Sequence, residues 1–270
     1  GMSNYSGDMS EAKLAYTITD RSGNLVGSGT FSATGVDHGS VAQMGTITLS
    51  LSEVAAPNML TIELSLEGTP YTNSWQVWVY DPEVPADEGN VLVTRSLREA
   101  QEALNDGRKV LLSPPLDHIR GIAGKFVPVF WSPVHFPNQP GTMGILCDPE
   151  HPVFDGFPTE FHSNWQWWDI CKHSETVETG GMDVEPLVTV MDNFFKNREL
   201  SSLFEARVGE GLLVFSSIDL VQGLEERPAS HQLKKSLLGY MNSADFSPEN
   251  EVSVQELETL FELTQTKEQD

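Results

Sequence analysis

Cysteine is scarce in this sequence, which limits the chemistry that the chain can carry. Only Cys147 and Cys171 occur, and they form no CxxC pair. With so few cysteines there is no disulfide framework, and the redox compartment is left open. We expect two free thiols that are largely buried, because an unpaired cysteine behaves as a small apolar residue.

Basic residues are also few. Lysine and arginine together number 16 against 39 acidic residues, which gives a formal net charge of -23 at pH 7. Such a chain repels phosphate backbones and anionic lipids, so we expect neither nucleic acid nor membrane surfaces as partners. No apolar run is as long as a membrane span, and the first residues lack the basic and apolar regions of a signal peptide.

Hydrophobic residues make up 39% of the 270 positions, enough for a sizeable core. At about 150 residues per domain, this length predicts two domains. Residues 10–81 contain short apolar runs separated by turns, with no helical stretch. The predicted strands are "AKLAYTITD", "LVGSGTF", "GTITLSLS", "NMLTIELSLEG" and "WQVWVY". These five predict an antiparallel β-sandwich that is incomplete, because such sandwiches have about seven strands or more.

The pattern changes after a proline-rich acidic linker at 82–89, "PEVPADEG". A strand in "NVLVTRS", a helix ending at Gly107 and a strand in "RKVLLSP" predict a parallel β-α-β unit. Further strands are predicted in "KFVPVFW", "TMGILCD" and "PLVTVMD", followed by a hairpin in "LFEARVGEGLLVFSSIDL" and a helix in "PASHQLKKSLLGYM". Residues 90–245 should therefore form an α/β layer domain.

Residues 246–270 should form a C-terminal helix and tail. The helix is predicted to begin with a capping box from Ser253 to Glu256. Its apolar stripe includes Leu257 and Leu260, at helical spacing. We expect this stripe to pack on its own domain rather than on a partner.

Two long stretches resemble a known family: "TNSWQVWVYDPE" and "QPGTMGILCDPEHPVFDGFPTEFHSNWQWWDI". They resemble the C-terminal portion of large bacterial proteins related to family 2 glycoside hydrolases, the β-galactosidase-like group, from about residue 12 to residue 243. The resemblance implies a two-domain α+β chain. Its first domain would be a partial immunoglobulin-like antiparallel β-sandwich, and its second a flavodoxin- or class I glutamine amidotransferase-like three-layer α/β domain. It also implies a periplasmic or secreted protein.

In those relatives the glycosidic chemistry belongs to a (β/α)₈ barrel that precedes the sandwich. Such a barrel needs about 250 residues, so it cannot fit here beside the predicted strands. The resemblance therefore implies a non-catalytic ancillary module that supports carbohydrate degradation by glycan contact or assembly. A glycosidase catalytic domain would be its natural partner.

The principal candidate site is "FHSNWQWWDI" at 161–170, which holds three of the six tryptophans. An extended conformation would place Trp165 and Trp167 on one face, whereas a helical one would pair Trp165 with Trp168. Packing in the core is the simpler interpretation, and stacking on sugar rings is the alternative. The candidate ligand-binding residues in this segment are His162, Asn164, Trp165, Trp167, Trp168 and Asp169.

Loops that follow strands could add to this site, because ligands of open α/β sheets gather at the carboxyl ends of strands. His135, Asp148 and His151 lie in such loops and are the remaining ligand-binding candidates. We expect them to converge with the tryptophans.

Other chemistries are less well supported. Glycoside hydrolysis needs two carboxyl groups roughly 5 to 9.5 Å apart. Its candidates, Glu160, Asp169, Asp148 and Glu205, lie in no barrel-strand context. Neither cysteine has the flanking glycines of an amidotransferase nucleophile, and the spacing of His151, His162 and His173 is not that of a zinc site. We therefore expect no catalytic residue, metal or cofactor.

Two further functions remain open beside the ancillary one. The chain could be a scaffold for protein interaction or homo-oligomerisation without glycan binding, through the open edge of the unfinished sandwich. It could also be an independent glycoside hydrolase, which would require turnover by the chain itself.

Overall fold

The computed structural model describes residues 1–81, 85–123, 142–193 and 196–262. The chain divides into two compact units, Gly1–Asp81 and Pro82–Asp270. It is a mixed α+β protein with few helices, and most strand pairs are antiparallel. This agrees with the predicted class. No helix of the described residues is long and apolar enough to cross a membrane.

The first unit is built from strands. They are β1 (Met2–Ser3), β2 (Met9–Thr19), β3 (Leu25–Val36), β4 (Val41–Ala42), β5 (Asn58–Leu66) and β6 (Thr72–Val79). Four of them form an antiparallel sheet in the order β3-β2-β5-β6, while β1 and β4 form a separate pair. The predicted turn between β2 and β3 is confirmed, because Gly23 has a φ of 82° and Asp20 accepts hydrogen bonds from the backbone of Ser22 and Asn24.

The four-stranded sheet has one apolar and one polar face. Leu14 lies opposite Phe31 on β3 and Leu66 on β5, so their side chains share a face. Thr17 points to the other face. The apolar side chains form two small cores, one around Leu14 and Leu66 and the other around Ile18, Leu60 and Val79.

The prediction of a strand in "GTITLSLS" is wrong, since residues 43–50 form no ladder. Their alternating side chains still cover the sheet. Met44 is buried in the core around Leu14, and Ile47 and Leu49 pack against the core around Ile18. Ile47 and Leu49 are thus partly buried, but Leu51, the next residue of the alternation, is exposed, and the backbone pairing that defines a strand is missing.

The described residues of the second unit form eight strands and four α-helices. The strands are β7 (Val91–Thr94), β8 (Lys109–Leu112), β9 (Ile122–Ala123), β10 (Thr142–Leu146), β11 (Glu175–Glu178), β12 (Glu185–Asp192), β13 (Leu200–Val208) and β14 (Gly211–Ser216). The helices are α1 (Leu97–Asn105), α2 (Trp167–Lys172), α3 (Pro228–Asn242) and α4 (Val254–Thr259), with 3₁₀ turns at Leu116–His118, Pro152–Phe154 and Leu224–Glu226.

The strand order of the main sheet is β10-β12-β13-β14-β8-β7, and β11 pairs with β13 and β9. The β7-α1-β8 unit is parallel as predicted, and β14 is parallel to β8. Ser96 caps α1 by accepting from the backbone N–H of Glu99, and Gly107 follows the helix with a φ of 75°. The β13-β14 hairpin and α3 are also confirmed, whereas "KFVPVFW" lies outside the described residues.

Helices lie on both faces of this sheet. Successive residues of a strand point to opposite faces, so two neighbouring residues show which helices cover each face. On β8, Leu111 belongs to the core that contains α2 and α3, and Val110 belongs to the core that contains α1 and α4. The capping box of α4 is present, and Leu257 is fully buried against the α1 side. The last helix therefore packs on its own unit, as expected.

Candidate functional site

Trp165 and Trp168 lie side by side on the surface of the second unit. Their side chains are 75% and 47% exposed, and their ring centroids are 5.7 Å apart with the ring planes inclined by 59°. Trp165 immediately precedes α2, and Trp168 lies in its first turn. Of the two predicted conformations, the helical one is therefore observed, since it pairs these two tryptophans.

Trp167, between them, belongs to the core. It is only 1% exposed, and its Nε1 donates a hydrogen bond to Thr159 Oγ1 at 2.9 Å. Its ring meets the edges of Phe157 and Phe154, with the Phe157 centroid 5.4 Å away. Its inclusion among the ligand-binding candidates is corrected, because its side chain is closed off from solvent.

Exposed apolar residues concentrate around this segment. In the described part of the second unit, the large apolar side chains that are exposed are Leu146, Phe161, Trp165 and Trp168. A hydrogen bond from Cys147 N to the carbonyl of Phe161 holds the end of β10 against the segment. We call Phe161, Trp165 and Trp168 the aromatic surface. Trp165 and Trp168 are in direct contact, and contiguous exposed apolar groups of this kind mark interaction sites in soluble proteins.

Charged neighbours fix the position of α2. Asp169 accepts a hydrogen bond from Arg227 Nε at 3.2 Å, and His173 Nδ1 lies 3.4 Å from the same carboxylate. Arg227 is 6% exposed and also donates to the carbonyl of Asp219 and to Ser230 Oγ. The guanidinium thus ties α2 to the start of α3, and Asp169 keeps a partly exposed carboxylate beside Trp168.

Two further contacts order the aromatic surface. Lys172 Nζ lies 4.5 Å from the centre of the Trp168 ring, within the range of a cation–π interaction. Asn164 donates to Glu160 Oε2 at 3.0 Å, and its own Oδ1 accepts from the backbone N–H of Gln166 just before the helix. Two of the three polar candidates in the segment, Asn164 and Asp169, therefore flank the exposed tryptophans directly in the chain.

His162 also lies in this region. Its ring centroid is 4.7 Å from that of Phe161, and its buried Nδ1 has no hydrogen-bond partner within the described chain. His162 also forms an isolated bridge with Leu146. His162 therefore contacts Phe161 of the aromatic surface and pairs with the end of β10.

The loop candidates contact other parts of the unit. Asp148 is exposed and accepts from the backbone N–H of Glu150. His151 accepts from the backbone of Val153, and its ring packs edge-on against Tyr240 of α3 at 5.3 Å. Burial lowers the pKa of His151, so its neutral form is favoured. In the described regions, neither residue forms a hydrogen bond, ion pair or ring contact with the tryptophans. His135 lies outside the described regions.

Three of the groups considered for bond-breaking chemistry are removed from solvent: Cys171 and Glu205 are buried, and Cys147 is partly buried. Burial and the Asp148 charge raise the pKa of Cys147 to about 12, and burial also raises that of Cys171, so neither forms a reactive thiolate at neutral pH. Glu205 accepts from Tyr240 Oη at 2.8 Å inside the sheet, and burial raises its pKa. The described residues contain no cluster of three or more metal-ligating side chains.

Residues 92–262 match the family described as "Domain of unknown function (DUF8487)", which is more than half of the chain. The chain belongs to the DUF8487 family. Residues 1–81, the whole first unit, match a second model, "Domain of unknown function (DUF8488)". A search of curated proteins found no match. The aromatic surface lies within the DUF8487 region.

Sequence reasoning missed two members of this site. Lys172 follows Trp168 by four positions, a spacing that places side chains together on a helix, so it could have been found once α2 was assumed. Arg227 is 58 residues from Asp169. No local pattern connects two residues at that separation.

Proposed function

We propose that the protein is a non-catalytic ancillary module of a glycoside hydrolase-related protein, and that it contacts glycan through the aromatic surface. The observation that carries the proposal is the pair of exposed rings of Trp165 and Trp168, 5.7 Å apart. Exposed aromatic rings offer apolar faces on which the C–H faces of pyranoses can stack, with polar groups beside them to set orientation.

The surroundings of these rings favour binding because they limit movement. Trp167 is held in the core between the two exposed rings, Lys172 covers part of Trp168, and Arg227 holds Asp169. Ordered side chains lose less conformational entropy when a ligand binds. The carboxylate of Asp169 has free lone pairs with which to accept hydrogen bonds from sugar hydroxyls.

The resemblance to the C-terminal region of family 2 glycoside hydrolase-related proteins supports the same proposal. In this interpretation the first unit is a partial immunoglobulin-like sandwich, supported by its antiparallel sheet with one apolar face. The second unit is an amidotransferase-like three-layer domain, supported by the parallel β7-α1-β8 unit and by helices on both faces. The catalytic partner would be a glycosidase domain.

A glycan array probed with the purified chain tests this proposal. Trp165→Ala and Trp168→Ala should each weaken the binding of the retained glycans by at least about tenfold, as expected for a central aromatic contact. Trp75→Ala is the matched control, because Trp75 lies in the first unit and is 47% exposed, like Trp168. If the wild type retains no glycan, or if all three variants bind equally well, the aromatic surface is not a glycan site.

A second candidate function is assembly without glycan contact. It is favoured by a group of exposed apolar residues on the first unit, which includes Tyr71, Trp75 and Val77. Light scattering over a range of concentrations, with and without an added partner, distinguishes this function from glycan binding.

A further inference from the structure

The first unit carries a cleft of about 600 Å³ on the apolar face of its sheet. Its lining includes Leu14, Leu64 and Leu66, whose side chains share that face. The remainder of the lining comes from residues 1–6 with Met9 and from residues 71–73 with Trp75. Its aromatic members are well exposed, with Tyr5 at 78%, Tyr71 at 63% and Trp75 at 47%.

The cleft carries no charged side chain. Its fourteen lining residues are apolar, aromatic, small or amide-bearing, although one residue in five of the whole chain is charged. Thr72 and Asn73 supply polar groups at one side. Apart from the α-amino group of Gly1, the lining offers no charged partner, so charged side chains of an occupant would lose hydration without forming ion pairs. The occupant is therefore expected to be uncharged and largely apolar.

A segment of the chain itself covers the neighbouring part of the same sheet face. Residues 43–50 run across it without joining the sheet. Met44 packs with Leu14 and Leu66, and Ile47 and Leu49 pack beside Ile18. Leu14 and Leu66 also line the cleft, so the covered surface continues directly into the open one. A segment outside the sheet that carries apolar side chains at Met44, Ile47 and Leu49 thus fits this sheet face.

We propose that the cleft binds an extended, uncharged segment of a partner polypeptide whose alternate side chains are large and apolar. The partner segment lies beside β6 on the apolar face, as residues 43–50 do on the adjoining part, and its side chains contact Leu64, Tyr71 and Trp75. This proposal deepens the assembly candidate and is independent of glycan contact by the aromatic surface. Open sheet surfaces commonly recognise extended peptides, with pockets that select alternate side chains.

A capped peptide with the sequence of residues 43–51, "QMGTITLSL", is a suitable probe because it is uncharged and already has the required alternation. Fluorescence anisotropy of the labelled peptide should show saturable binding to the full chain. Trp75→Ala and Tyr71→Ala should each weaken binding by at least about tenfold. Both side chains are exposed, so the variants should keep the fold, which circular dichroism can verify. Leu25→Ala is the control, because Leu25 is an exposed apolar residue of the same unit outside the cleft, and it should bind like the wild type.

A second peptide, with lysine in place of Ile47 and Leu49, should not bind. The proposal is overturned if the capped peptide fails to saturate, if the lysine peptide binds equally well, or if the two cleft variants bind normally. It is also overturned if the chain self-associates through the cleft, or if an uncharged alkyl maltoside occupies the cleft and the peptide does not. The glycan array tests the aromatic surface and the peptide titration tests the cleft, so either proposal can be wrong while the other holds.

Discussion

Trp167 and Trp168 are adjacent, yet truncation of each should have a different effect. Trp167 is 1% exposed, contacts Phe154 and Phe157 and donates to Thr159, whereas Trp168 is 47% exposed. Removing a buried tryptophan side chain costs about 3 to 5 kcal/mol, because it leaves a cavity as well as lost contacts. Thr159 Oγ1 still donates to the carbonyl of Glu160 but loses the hydrogen bond that it accepted, which adds to this cost. We therefore expect Trp167→Ala to lower the free energy of unfolding by about 3 to 5 kcal/mol.

Trp168→Ala should lower the free energy of unfolding by less, about 1 to 2 kcal/mol, since half of this side chain is already exposed and its loss leaves no closed cavity. Its main effect should be on glycan binding. Urea denaturation followed by circular dichroism measures the stability of both variants, and the transitions of the two units must be fitted separately. If Trp168→Ala destabilises the protein as much as Trp167→Ala does, then Trp168 is a packing residue and the reasoning is refuted.

Three further predictions concern stability. Arg227→Gln should destabilise the second unit by about 2 kcal/mol, because a buried guanidinium hydrogen-bonded to Asp169 is lost; denaturation curves that overlay the wild type would contradict this. Hydrogen bonds from Arg198 lower the pKa of Asp192 from 3.8 to about 2, so the carboxylate stabilises the fold above pH 4 and loses this effect as the pH falls towards 2. Asp192→Asn should therefore make the free energy of unfolding depend less on pH between about 4 and 2. An unchanged acid transition would show that the Asp192–Arg198 pair does not cause it. Ser253→Ala removes the cap of α4 and should cost about 1 kcal/mol in the same denaturation assay, whereas no change would show that the cap adds nothing.

Much of the second unit was predictable because its signals are local. The apolar strand β7, the periodic helix α1 with Gly107 after it, and the capping box at Ser253 each depend on neighbouring residues. The strand β9 was missed because it has only two residues, and β11 because its sequence, "ETVE", contains a single apolar residue, Val177. The strand predicted at 45–52 was wrong because alternation reports burial, while a strand also needs backbone partners.

The candidate site was only partly predictable. Three tryptophans within four positions satisfy both the helical and the extended period, so the sequence left the choice open. The structure selects the helical period, because Trp167 is buried while Trp165 and Trp168 are exposed together. His151 packs on Tyr240, an arrangement set by the distant helix α3. Long-range contacts of this kind have no signature in a single sequence.

Calorimetric titration of the Trp165→Ala/Trp168→Ala double variant tests the proposed glycan site most directly. The ligand is the oligosaccharide that the wild type retains best on the array, and Trp75→Ala is titrated beside it. We expect measurable binding by the wild type and by Trp75→Ala, and no measurable heat of binding for the double variant with its fold intact. Equal affinity of the folded double variant and the wild type would contradict a glycan-binding role for the aromatic surface.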